Sequence, residues 1–268
     1  MQLALFQVDA FTDRALRGNP AAVMPLEAWL PDELLQAIAD ENHLSETAFL
    51  VPSADADFDF ELRWFTPVTE IELCGHATLA SAHVLFRHQG FSGDAIRFST
   101  MSGAIEVKRS GEDLVLDFPV RPAKPIPTPA ALAEALGAEP LEVLGARSYL
   151  AVLRDEESVR ALQPDMAAVA KLDAMSVIAT APGDDPEVDF ISRYFAPRVG
   201  IDEDPVTGSA HCTSTPYWAE RLGKNELTAH QISARGGRLR CTLQGDRVLL
   251  AGAAVTYLEG TVTLPDAD

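Results

Sequence analysis

The sequence has too little positive charge, too few cysteines and too short a set of apolar runs for several broad classes of protein. Its 21 lysines and arginines are outnumbered by 40 aspartates and glutamates, for a formal charge of −19. That sign opposes binding to nucleic acid or to an anionic membrane surface. It does not oppose a small anionic substrate, because a local pocket field can run against the overall sign. Three cysteines, Cys74, Cys212 and Cys241, are an odd number without CxxC spacing, which argues against a disulfide framework and a zinc knuckle alike. The stretch Met1 to Asp9 carries no basic region ahead of an apolar one, and no apolar run approaches a bilayer span. A soluble cytoplasmic protein is the resulting expectation. There is no phosphate loop or dinucleotide fingerprint, since Gly236-Gly237 falls between expected strands and not before a helix. His43, His76 and His211 have neither i,i+4 nor HxH spacing, so a metal held by them would need tertiary coincidence, and no metal is expected.

What the sequence does hold is an internal echo. Its 268 residues, 47% hydrophobic, suffice for two domains of ordinary size. Pro52 and Pro182, Asp55 and Asp185, Asp59 and Asp189, and Phe60 and Phe190 are each 130 apart, as are Arg63 and Arg193, Phe65 and Phe195, and Pro67 and Pro197. Gly103 and Gly237, and Gly111 and Gly245, repeat at 134, and Val115-Leu116 and Val248-Leu249 at 133. Ungapped identities at that density read as a duplication. The two copies run over roughly 1–118 and 130–264. Between them, residues 119–129 hold five prolines and read as a linker. The domains are therefore expected at 1–118 and 130–268, with the last strand a candidate to return to the first.

Within each copy, strands outnumber helices. Helices are expected from Pro31 to about Asn42, with proline and acids in the first turn, and from Thr78 to Phe86. A third is expected over Ser158 to Lys171 despite Pro164, and a fourth ends at Leu222 with Pro216 inside it. Strands fill Leu3 to Val8, Ala21 to Met24, Thr47 to Val51, 58–65, and three segments between Ile96 and Phe118, and a similar series follows in the second copy. The class is α+β, not a regular βαβ alternation.

The chemistry is expected at two matched turns. With an offset of 133, Gly75 aligns with Gly208, His76 with Ser209, Ala77 with Ala210 and Cys74 with Thr207. Each glycine opens a helix, where the first backbone N–H groups lack intrahelical partners and the dipole favours an anion such as a carboxylate. If the copies face each other about a pseudo-two-fold axis, both helix starts converge on one cleft.

Five motifs give this arrangement a family likeness. They are Val8-Asp9-Ala10-Phe11 with Gly18-Asn19-Pro20, Asn42-His43-Leu44-Ser45-Glu46-Thr47-Ala48-Phe49, Gly75-His76-Ala77-Thr78, Asp204-Pro205-Val206-Thr207-Gly208-Ser209-Ala210, and Ser233-Ala234-Arg235-Gly236-Gly237. In this order, over essentially the full length, the chain resembles the PhzF-like family, which is related in fold to diaminopimelate epimerase. The resemblance implies two similar α+β domains, each with a sheet wrapped around a central helix. It implies a cofactor-free isomerase active site between them, and a homodimer. It makes Glu46 the catalytic acid/base and gives Gly75, His76, Asp204, Gly208 and Ser209 the task of holding or polarising the substrate. Ser45, Cys74 and Thr207 are secondary candidates. Phenazine biosynthesis is the best-known setting of the family.

The duplication discriminates between two chemistries. Epimerases of the related fold use two cysteines, one at each glycine turn, on opposite faces of the substrate carbon. Here the pair is Cys74 and Thr207, and threonine is a very poor base near neutral pH. Glu46 has no acidic counterpart either, since adding 130 lands on Ser176. One base in one copy fits a proton removed and returned on the same face at another carbon, a hydrogen shift and not an inversion. The rival readings are an amino-acid racemase using Cys74, and a non-catalytic binding protein of the same fold.

Overall fold

A computed structural model describes residues 1–265. The chain forms two compact units, Met1–Asp117 together with the chain from Ala251 onward, and Phe118–Leu250.

In the first unit, β1 (Gln2–Ala10) is antiparallel to β2 (Asn19–Pro25), and α1 (Asp32–Asn42) carries the chain over to β3 (Glu46–Pro52), parallel to β2. β4 (Phe60–Phe65) and the short β5 (Glu70–Ile71) return antiparallel. Helix α2 (Gly75–Arg87) leads to β6 (Ala95–Thr100), β7 (Gly103–Ser110) and β8 (Asp113–Pro119). β6 pairs parallel with β4, and β6, β7 and β8 form an antiparallel meander. α2 packs against β1, β2, β3 and β7. It can sit inside the sheet because Ala77, Ala80, Ser81 and Ala82 let strands approach closely. Its buried hydroxyls return to the helix backbone, Thr78 donating to Cys74 O and Ser81 to Ala77 O at 2.7 Å. α1 covers another face with Leu35, Ile38 and Ala39, packed on Met24, Phe49, Val51 and Phe65.

The second unit begins with β9 (Lys124–Ile126), α3 (Ala130–Leu136), β10 (Glu142–Gly145) and β11 (Tyr149–Val152). After α4 (Glu156–Arg160) and α5 (Met166–Val169), β12 (Val177–Pro182) runs parallel to β11 and β13 (Phe190–Ala196) antiparallel to β12. A 3₁₀ turn at Pro197–Val199 and β14 (Ile201–Asp204) precede α6 (Gly208–Leu222). β15 (Glu226–Gln231), β16 (Gly237–Gln244) and β17 (Arg247–Gly252) follow, with β15 parallel to β13 and α6 packed on β15 and β16.

The echo in sequence is an echo in bonding. Arg63 grips Glu70 through two bonds of 2.7 Å, and Arg193 grips Glu203 at 2.7 and 2.9 Å. Each guanidinium lies over the phenylalanine two residues on, Phe65 at 5.1 Å and Phe195 at 4.9 Å. The Asp59 carboxylate accepts the Arg97 N–H at 2.8 Å, and the Asp189 carboxylate accepts the Thr228 N–H at the same distance. The cross-strand pairs Trp64–Ile71 and Tyr194–Asp204 occupy equivalent places.

Three expectations need correction. The helix expected over 158–171 is two short helices, each started by an aspartate: Asp155 accepts the Ser158 N–H, and Asp165 those of Ala167 and Ala168. Pro164 sits between them, where its ring and missing N–H rule out a continuous helix. The segment 119–129 is not a free tether. Lys124–Ile126 pairs with β10 along an edge that tolerates Pro125, and the Arg121 N–H donates to Cys212 O at 3.0 Å. That carbonyl is the one Pro216, four residues on in α6, cannot engage, so the proline-rich segment fills a vacancy that a helical proline creates. Finally, the second domain does not run to 268. β18 (Ala254–Thr263) lies in the first unit, antiparallel to β1 from Gln2–Thr263 to Ala10–Ala254.

Candidate active site

Each unit contributes its own group of residues. In the first, Glu46 opens β3, opposite Ala21 in the parallel register that brings the start of β2 alongside. His76 is the second residue of α2, and Cys74 caps that helix with extended backbone. All three are buried. His76 Nε2 lies 3.0 Å from Glu46 Oε2, while Nδ1 faces Cys74 Sγ at 3.5 Å and Asn19 Nδ2 at 3.2 Å. The imidazole therefore bridges a carboxylate and a thiol.

Burial pushes the Cys74 thiol up, the negative charge of Glu46 adds to it, and the result is about 11. Cys74 is thus a thiol at neutral pH. For His76, burial opposes the charged ring, but negative charge at Cys74 and Glu46 and hydrogen bonds to both outweigh it, so the ring holds its proton well above the ordinary histidine range. The rise at His76 depends on charge in this buried cluster, and with Cys74 neutral only the part due to Glu46 remains. Donor atoms of Glu46, Cys74 and His76 lie within 4.8 Å of one another. The two ring nitrogens face different partners, so a metal ion would have to displace one of these contacts.

Ser45 occupies the half-buried bend before β3. Gly75 opens α2 and precedes its first intrahelical bond, Thr78 N–H to Cys74 O at 3.2 Å. Neither Gly75 nor Gly208 has positive φ. What they supply is bare backbone at a helix start, not left-handed geometry.

In the second unit, Asp204 ends β14 and is buried, Thr207 caps α6, and Gly208 and Ser209 form its first turn. The Thr207 hydroxyl donates to Asp204 Oδ2. His211 Nδ1 donates to Thr207 O at 2.8 Å, doing for this helix start what the Thr78 hydroxyl does for the other. His211 is buried, and desolvation lowers it to about 4, so it is a neutral ring. Ser176, at the position matching Glu46, shares a 2.6 Å hydrogen bond with Ser148 and carries no acid.

The motif at Ser233–Gly237 braces this turn. Ser233 Oγ donates to Pro205 O at 2.8 Å and accepts the Gly236 N–H at 3.1 Å, with Gly236 at φ 68°. Sequence reasoning missed Asn19 and Gln231 as partners of the candidate residues His76, Thr207 and Asp204. Asn19 sat inside a motif already singled out for the turn it makes. Gln231 gave no local signal, since only the parallel β13–β15 register, Ser192 opposite Gln231, places it under the turn. A cavity of about 510 Å³ in the first unit, lined by His83, Phe86, Arg87, Arg109 and Glu112 among others, touches none of Glu46, Cys74 or His76.

Residues 8–260 match the family described as phenazine biosynthesis-like protein, PhzC-PhzF. The chain belongs to the PhzF-like family. Among its relatives is an uncharacterized isomerase of Pseudomonas aeruginosa, 52% identical over 98% of this chain and all of the relative. A PhzF-family crystal structure from Enterococcus faecalis superposes with a TM-score of 0.95 at 44% identity, covering 98% of this chain and all of that one. A protein described as a predicted epimerase from Pseudomonas aeruginosa superposes at 0.73 with 24% identity over the same share, a likeness of fold alone. The fold is the duplicated, diaminopimelate epimerase-like α+β fold, and this PhzF-like chain belongs among isomerases. Among the described residues no helix is long and apolar enough to cross a membrane.

Proposed function

We propose that the protein is a cofactor-independent isomerase that shifts a proton between two carbons of a small carboxylate-bearing substrate, with Glu46 as its one acid/base. The observation that carries this is the asymmetry of the duplicated turns. One unit buries a carboxylate 3.0 Å from a histidine, and the matching position of the other is Ser176. The remaining candidates are poor bases at neutral pH, with Cys74 held up at about 11 and Thr207 a hydroxyl that already donates to Asp204.

In the proposed reaction the Glu46 carboxylate takes a proton from a carbon acidified by a neighbouring double bond or carboxylate. The freed electron pair moves along the allylic system, and the same carboxyl returns the proton at the far carbon. Atoms and electrons balance without an outside donor. Protonated His76 opposes the charge that develops on the substrate. Asp204 anchors a hydroxyl or amine, and the N–H groups at each helix start, Gly75 in one unit and Gly208 and Ser209 in the other, suit a carboxylate.

Incubating the protein in D2O with a panel of unsaturated carboxylates and of amino acids, followed by proton NMR, tests this. The expected result is a moved double bond with no inverted centre. Deuterium at the α-carbon of an amino acid with inversion would support the racemase reading and overturn ours. The two readings also part at Cys74. Cys74→Ser is expected to keep kcat within about threefold, whereas loss of a working second base would cost about 10²-fold or more.

A further inference from the structure

Gln231 is fully buried at the end of β15 and reaches three atoms of the turn that carries Asp204. Its Oε1 accepts the Thr207 N–H at 2.8 Å, and its Nε2 donates to Asp204 O at 2.7 Å and to Thr207 Oγ1 at 3.2 Å. The orientation of this amide is fixed by chemistry. Turning it over would set an NH2 against the Thr207 N–H and a carbonyl against Asp204 O, two like-against-like contacts in a buried site. With the NH2 facing Thr207 Oγ1, that oxygen is an acceptor on one side, and its single proton points to Asp204 Oδ2. The direction of the whole chain, amide to hydroxyl to carboxylate, is set at Gln231.

The other unit shows what this device is for. The serine brace is present in both copies: Ser233 donates to Pro205 O, and Ser102 donates to Glu72 O at 2.7 Å. The polar chain is present in one. Ile71 stands at the Asp204 position, opposite Trp64 as Asp204 is opposite Tyr194. Thr100 stands at the Gln231 position, and its hydroxyl turns back to Gly103 O at 2.7 Å. Holding the turn thus requires only the serine, and the glutamine accompanies the carboxylate.

We propose that Gln231 is a positioning residue of the substrate-holding site. Through the Thr207 hydroxyl it occupies Asp204 Oδ2 with a donated proton, so that Asp204 is held as a hydrogen-bond acceptor. The partner group on the substrate is then a donor, an ammonium or a hydroxyl. This rests on the substrate-holding role proposed for Asp204, but the arrangement itself can be read without any substrate.

The test uses full-length protein labelled with ¹³C at the aspartate carboxyl, the Asp204 signal being the one lost in Asp204→Asn. At a fixed neutral pH, Gln231→Glu keeps the acceptor for Thr207 N–H but turns the hydroxyl toward the new carboxylate. The Asp204 signal is expected to move in Gln231→Glu and in Thr207→Val, and to stay near the wild-type position in Thr207→Ser. A signal unmoved by Gln231→Glu overturns the proposal. Should that variant not fold, exchange in wild-type protein decides: the Gln231 side-chain NH2 should exchange far more slowly than that of exposed Gln2, and equal rates overturn it. Once a substrate is in hand, Gln231→Glu should raise KM about tenfold or more with kcat within about threefold. An unchanged KM alongside a moved carboxyl signal would sink the Asp204 reading and leave the Gln231 geometry standing.

Discussion

Glu46→Gln is expected to lower kcat by about 10²–10⁴-fold while the protein stays folded, the span that a positioned general acid/base contributes. The amide is isosteric, so packing at the start of β3 is kept. It neither takes a proton from carbon nor carries one to the far carbon, so both halves of the shift are lost together. It also removes the negative charge 3.0 Å from His76 Nε2. The ring should then give up its proton at lower pH than in the wild type, because burial, the largest influence on it, lowers it and Glu46 is among the charges that oppose this. Two measurements separate these consequences. Turnover reports the lost base, and a histidine NMR titration with the His76 signal assigned by His76→Gln reports the lost partner. A Glu46→Gln protein that turns over within about threefold of wild type would remove Glu46 from the mechanism. A variant whose His76 titrates as before would mean that the carboxylate does not hold the ring charged.

A second large effect concerns acid. His211 is buried and lowered by desolvation to about 4, against about 6.5 in an unfolded chain. Between those values the unfolded chain binds a proton that the folded protein refuses, so stability falls as pH drops from about 6.5 towards 4. At about 1.4 kcal/mol per pH unit, the group accounts for about 3 kcal/mol over that range. The duplication offers a matched replacement, because Thr78 supplies the equivalent bond to Cys74 O with a hydroxyl. His211→Thr is expected to lose about 1–3 kcal/mol at neutral pH from the space left behind. It should also remove the His211 share of the acid limb, leaving the share of His83 and His230, which burial lowers likewise. Urea unfolding at several pH values from 4.5 to 7.5 measures both, and a variant with the wild-type acid limb would contradict the assignment. His76 works in the opposite sense. Its raised value gives stability that is full below about 6.5 and is lost as pH rises through the folded value.

Much of the fold was legible because it is written twice. Arg63 with Phe65, and Arg193 with Phe195, recur because each arginine ties a turn and covers a ring, so the identities mark structural joints and not chance. Helix α2 was legible from its small residues, and Glu46 from its motif. The return of β18 was legible only as an option, since no residue inside 254–263 reports that its partner lies at Gln2–Ala10. Helix α3 follows directly on a run of prolines, which hides its start from the sequence pattern. The length of the 158–171 helix was misjudged because periodic apolar residues continue across Pro164, where the backbone does not. Charge type and motif spacing put forward Glu46, His76 and Asp204 as candidates, and all three are buried. Neither signal could name Gln231, whose role depends on strand register.

The placement of β18 makes the two units unequal in synthesis. The second unit is one unbroken stretch, Phe118–Leu250, and is all but complete as soon as that stretch has emerged. The first, although begun earlier, waits for its partner to β1 until the whole of the second has been made. During that interval the outer edge of β1 is open, with residues such as Phe6 and Val8, buried in the finished protein, beside it. The older half of the nascent chain is thus the half that depends on a timely finish, and a ribosome stalled after Leu250 would release a protein with one nearly complete unit and one sticky edge.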